Sequence, residues 1–214
     1  MSGQIAQIIL IREFLIIFSG NEFYVGIVLS NWLLLEAFGA FISVKLIKRK
    51  ERIKGFILTT ILFCVSYCVS IFMVRMVKPV LQISVGENVE LCSAFFSSFF
   101  ILSFVSALHG ALFPYTCDIY TVFTKQKGVP AGKIYAYETV GTIVGGITVT
   151  YIFISFFDSF KTAFIVSSLN CLVSSLLVYK VERPSRVFSF LCLGLAAFFG
   201  ILAIHSDRIH WYSI

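Results

Sequence analysis

The feature that most constrains this chain is a succession of apolar runs, most of them close to the ~20 residues a helix needs to cross hydrocarbon. They lie near residues 4–18, 23–46, 55–77, 91–113, 134–157, 162–179 and 187–204, and a polar tail follows at 205–214. In lipid every backbone N–H and C=O must be paired within the protein, and a helix achieves this inside one segment. The expected fold is therefore an all-α membrane protein, a polytopic bundle of about seven transmembrane helices. The first run is short and contains Arg12 and Glu13. It is expected to form a tilted or re-entrant helix, or the end of a longer one.

Composition agrees with lipid as the solvent. Only 13% of the 214 residues are charged and 58% are hydrophobic, whereas soluble domains spend roughly a quarter of their residues on charge. The 24 phenylalanines would leave large apolar patches on a soluble surface but are at home against acyl chains. The net charge of +6 does not point to nucleic acid, because the basic residues are not gathered beside stacking aromatics on a polar face. They fall in the gaps between apolar runs.

That distribution sets an expected orientation. Lys45, Lys48, Arg49, Lys50, Arg52 and Lys54 fill one gap, Lys125, Lys127 and Lys133 a second, and Lys180, Arg183 and Arg186 a third. The alternate gaps and the tail hold only Arg75, Lys78, Lys161 and Arg208. Lys and Arg concentrate on the cytoplasmic side of membrane proteins. The basic loops 45–54, 115–133 and 180–186 are thus expected in the cytoplasm, with the protein multi-pass in the cytoplasmic (inner) membrane and the tail outside. The loop with Pro79, Gly86, Glu87 and Glu90 then faces outward, and Pro184 marks a tight cytoplasmic turn. No cleavable signal is expected, since Met1 is followed by Ser-Gly-Gln rather than a basic stretch.

Ionisable groups at membrane depth cost about 2.5–3.5 kcal/mol each on insertion scales, so each asks for a partner or a purpose. Arg12, Glu13, Glu36, Glu138 and His109 form the candidate buried polar cluster. Glu36 sits well inside the second run and is expected to face the bundle interior. Arg12 and Glu13 are adjacent and point apart on a helix, which leaves Glu36 or Glu138 as a partner for Arg12. Either the group locks helices together or it lines a path for a polar substrate. Glu138 lies near Tyr135 and Tyr137, where it snorkels or accepts from tyrosine unless it serves function. His109 has no second histidine at ligand spacing and either relays a proton or satisfies a polar neighbour. Pro114 is expected to end the fourth helix. Gly141, Gly145 and Gly146 form a small-residue pattern that packs helices rather than a nucleotide loop.

Six cysteines are present. Five lie inside apolar runs, and Cys64 and Cys68, one helical turn apart, are read as packing residues with no acidic or histidine partner nearby. No disulfide framework, metal site, cofactor or catalytic residue is expected.

Several strings together resemble the membrane part of spermidine-synthase-like proteins, in which a multi-helix module precedes an aminopropyltransferase domain. They are Gln7-Ile8-Ile9-Leu10-Ile11-Arg12-Glu13-Phe14 running into Phe18-Ser19-Gly20-Asn21-Glu22, and Lys127 to Lys133 followed by Ile134-Tyr135-Ala136-Tyr137-Glu138, Gly141 and Gly145-Gly146. Ala111-Leu112-Phe113-Pro114 and the Phe160 to Leu172 stretch with Asn170 extend the resemblance over most of residues 4–180. The resemblance implies a module that anchors, or supplies an amine such as a polyamine to, a soluble aminopropyltransferase partner or C-terminal domain. The glycine-rich and acidic donor-binding motif of that enzyme is absent from these residues, so no transferase residue carries over. A small stand-alone transporter of a cationic metabolite and a membrane scaffold without transport are the competing expectations.

Overall fold

The computed structural model describes residues 1–18, 20–47, 51–82, 89–124, 130–181 and 186–204, with the side chains of 130, 178–181 and 186–189 outside that set. Residues 83–88 of the expected outward loop, the expected turn at 182–185, the tail 205–214 and residues 48–50 and 125–129 of the basic gaps lie outside the described residues. Among the described residues every regular element is helical: α1 (Ser2–Ile17), α2 (Phe23–Leu46), α3 (Arg52–Arg75), the single turn α4 (Val77–Val80), α5 (Leu91–Thr124) and α6 (Pro130–Thr148) come first. A π-helical segment (Val149–Phe153), α7 (Ile154–Phe156), α8 (Ser159–Val181) and α9 (Arg186–Ile204) complete the order.

Five described helices are long and apolar enough to cross a membrane: Phe23–Leu46, Arg52–Arg75, Leu91–Thr124, Ala131–Phe156 and Ser159–Leu177. α1, at 16 residues, and the described apolar part of α9, Phe190–Ile204, are shorter. The outer surface suits lipid. Phe96, Phe100 and Phe104 point outward one turn apart on α5, as do Leu34, Phe38 and Phe41 on α2 and Val140, Ile143, Val144 and Ile147 on α6.

α1 is the weakest span by composition, yet it is the most enclosed helix. It packs against α2, α3, α6 and α8, and Ile5, Ala6, Ile9, Leu10 and Phe14 are almost wholly buried. Protein rather than lipid surrounds it, so charge on it is sheltered by neighbouring helices. The turn into α2 is set by sequence: Gly20 adopts φ +75°, its N–H donates to Leu15 O at 2.9 Å, and Asn21 Oδ1 accepts from Phe23 N at 3.0 Å. A left-handed glycine stops one helix and a side-chain cap starts the next.

α2 and α5 form the tightest helix pair and run parallel, because contacts ascend together along both. Asn31 Nδ2 donates to Ser98 Oγ at 2.9 Å and Ser106 Oγ donates to Trp32 O at 2.6 Å. Two glycines allow the approach: a Cβ on Gly39 would collide with the Ala107 backbone, and one on Gly110 with the Glu36 backbone.

Pro114 does not end its helix. α5 continues to Thr124 with the proline inside it, which corrects the expected boundary at 113. Proline removes its own donor to the Gly110 carbonyl and its ring crowds that turn, yet the helix runs on through it to Thr124. Proline inside a membrane helix is tolerated when surrounding groups re-satisfy the backbone.

Candidate functional site

The five expected cluster residues separate into two sites and one isolated cation. Near one end of the bundle, Glu13 is buried and accepts from Arg75 twice, Nε to Oε2 at 2.8 Å and Nη2 to Oε1 at 3.2 Å. Ser159 Oγ, at the start of α8, donates to the same carboxylate. The Arg75 guanidinium lies 4.8 Å from the Phe160 ring centroid, so the aromatic face helps to carry its charge. Three helices, α1, α3 and α8, are therefore joined through one carboxylate. Arg75 ends α3, and sequence reading assigned it to the outward loop, because nothing along the chain shows that it turns back onto Glu13.

Arg12 pairs with neither Glu36 nor Glu138. Its Nη1 is buried without a hydrogen-bond partner among the described residues. It points away from Glu13, as adjacency on a helix requires.

The second site lies near mid-depth, in the half of the bundle nearer the basic end. Glu36 on α2 faces inward and has both oxygens engaged: Trp32 Nε1 donates to Oε2 at 3.0 Å, and His109 Nδ1 lies 2.8 Å from Oε1. Trp32 reaches its partner because it precedes Glu36 by four residues on the same helix face. The His109 ring is held between Trp32 and Phe63, with centroids 6.1 Å and 5.8 Å away. It fits only because residue 3 is glycine; a Cβ on Gly3 would collide with the imidazole.

These groups line a cavity of about 380 Å³ whose walls include Gln4 and Gln7 of α1, Trp32 and Glu36 of α2, His109 of α5, and Tyr135, Glu138, Thr139 and Thr142 of α6. Glu138 shares the cavity with Glu36. Met1 lines it too, with its amino group near Glu138, and among the described residues no lysine or arginine side chain does. The sequence singled out Glu36, Glu138 and His109 as ionisable groups at depth, with Tyr135 beside Glu138; it gave no sign of Trp32 and the glutamines, whose only signal is an inward azimuth at the same depth.

The Gly141, Gly145 and Gly146 pattern divides too. A Cβ on Gly141 would lie 3.3 Å from Met1 N and one on Gly145 3.1 Å from Met1 O, whereas one on Gly146 meets nothing within 4 Å. The first two admit the start of α1 against α6. Cys64 Sγ lies 3.8 Å from both Ser167 O and Asn170 Nδ2, a polar contact between α3 and α8. Among the described residues no group of three or more His, Cys, Asp or Glu side chains converges as a metal site.

The architecture is that of an all-helical membrane protein with an acidic internal cleft. Comparison with family models, with curated proteins and with solved structures found no match.

Proposed function

We propose that this chain is a seven-span protein of the cytoplasmic membrane whose cleft takes up a small organic cation. The observation that carries this reading is that Glu36 and Glu138 line one cavity in which, among the described residues, the Met1 amino group beside Glu138 is the one ammonium group and no lysine or arginine side chain is present, while Arg75 is committed to Glu13. Two carboxylates in a low-dielectric cleft attract an ammonium far more strongly than in water. Uncharged Gln4, Gln7, Thr139 and Thr142 add acceptors for its N–H groups. Basic loops in the cytoplasm, as the charge pattern favours, give the cleft's end of the bundle access to cytoplasmic amines.

The resemblance to spermidine-synthase-like membrane modules suggests a specific use, the supply of an amine to an aminopropyltransferase partner; transport by the chain alone uses the same cleft. Tagged chain purified from detergent-solubilised membranes is expected to bring aminopropyltransferase activity with it if it serves an enzyme. Purified alone and placed in liposomes, it is expected to accumulate putrescine if it transports. Glu36→Gln with Glu138→Gln abolishes either effect on this reading; activity undiminished in a folded double variant refutes the cleft as the site.

A scaffold is favoured by one observation, the Glu13–Arg75–Ser159 tie across three helices. It predicts that partner capture survives neutralisation of the cleft.

A further inference from the structure

We infer that cation binding at Glu36 expels a proton from His109, so that the cleft exchanges a cation for a proton. This rests on the reading of the cleft as a cation site and adds its coupling.

His109 Nδ1 is 2.8 Å from Glu36 Oε1. Toward an ionised carboxylate that nitrogen is the donor, whether the ring is neutral or charged. Any proton the ring gains or loses is then carried by Nε2, the nitrogen turned toward Gly3 and the cleft. Glu36 has further acceptor capacity, because a carboxylate offers about four lone-pair sites and among the described residues its hydrogen-bond partners are Trp32 and His109. An ammonium arriving there leaves the Nδ1 bond intact but adds a positive charge beside the imidazole. Two cations at one carboxylate repel. The balance is one ammonium group in at Glu36 and one proton out from Nε2; a monoammonium leaves the charge of the cleft unchanged, and putrescine, a dication, raises it by one, its second ammonium group facing Glu138.

The ionisable groups around the pair are few. α6 presents Tyr135 and Glu138, and α1 presents the Met1 amino group, which stands beside Glu138. Cys117, on α5, also feels the charge of Glu138. α3 contributes the Phe63 ring and α2 the Trp32 indole. Glu138 and the Met1 amino group, whose pKa burial lowers from its ordinary 8.0, are the other groups able to impose a pH dependence of the same sign. Coupling is reciprocal: if the cation expels the proton, protons weaken the cation.

The test is putrescine binding to the detergent-solubilised full chain between pH 5.5 and 8, read by calorimetry in two buffers of different ionisation heat. In wild type the affinity is expected to fall as the pH is lowered, toward tenfold per pH unit where the free protein holds the proton and the loaded protein does not. Up to one proton is released per putrescine there. His109→Asn keeps an amide donor for Glu36 without a titrating ring, and it is expected to flatten this step whatever its affinity at pH 8. His109→Gln is the second variant should the first not fold. A step that disappears in Glu138→Gln but persists in a His109 variant overturns the exchange, as does one that survives all of them or zero proton release in wild type. Absence of putrescine binding by wild type at any pH overturns the cation reading, and the exchange with it.

Discussion

Glu13 and Arg75 meet with little solvent at either side chain, and that decides what a single substitution does. Removing one member of a buried ion pair strands the other and costs about 3–5 kcal/mol, while replacing both by apolar groups is often neutral. Glu13→Gln is expected to lower the midpoint of thermal unfolding in detergent sharply, and Glu13→Gln with Arg75→Met to recover most of the loss. If the single and double variants unfold alike, the pair has no structural weight. In the cleft the corresponding residue is Trp32. Trp32→Phe keeps the ring beside His109 but removes the N–H donor to Glu36, and is expected to destabilise the protein by about 1.5–3 kcal/mol, the value of one hydrogen bond to a charged group, read as a lower midpoint of thermal unfolding. Charge alone made Glu13, Glu36, Glu138 and His109 conspicuous in sequence. Their division into two sites was not legible, because which carboxylate faces which cation depends on helix azimuth and depth, and hydropathy encodes neither.

At the scale of the helices, close approach is governed by glycines that the small-residue pattern did not single out. Gly39 and Gly110 let the backbones of α2 and α5 touch, and a methyl at either forces the pair apart. Overpacking of this kind costs about 1–3 kcal/mol and occasionally more. Gly110→Ala is expected to destabilise the protein and weaken the cleft, since the carbonyl it strikes belongs to Glu36. Gly146→Ala meets open space and is expected to be neutral, or stabilising by up to about 1 kcal/mol through helix propensity. Thermal unfolding of the two variants side by side checks both. The limits of α2 were readable to the residue, 23 to 46, because Asn21-Glu22 and Lys45 through Arg49 bracket a largely apolar stretch whose one charged residue is Glu36. α5 was read eleven residues short, because proline is a helix breaker in water and a tolerated kink point in a protein-lined membrane helix.

For the molecule as a whole, the all-helical architecture was plain from the apolar runs, whereas the centrality of α1 was hidden by the same measure. Hydropathy scores a helix against lipid, and α1 is solvated by α2, α3, α6 and α8. The orientation proposed from the basic loops predicts that a reporter fused after Ile214 is active outside the cytoplasm and one inserted between Lys127 and Lys133 inside; the reverse pattern inverts the topology. The buried position of α1 also bears on synthesis. Glu13 is made 62 residues before Arg75 and 146 residues before Ser159, which at roughly 5–20 residues per second leaves it without its counter-ion for several seconds. A carboxyl at membrane depth without its counter-ion is costly, so a chain cut short before Arg75 is expected to hold α1 less securely than one that ends after it, which protease protection of the two truncated chains would read.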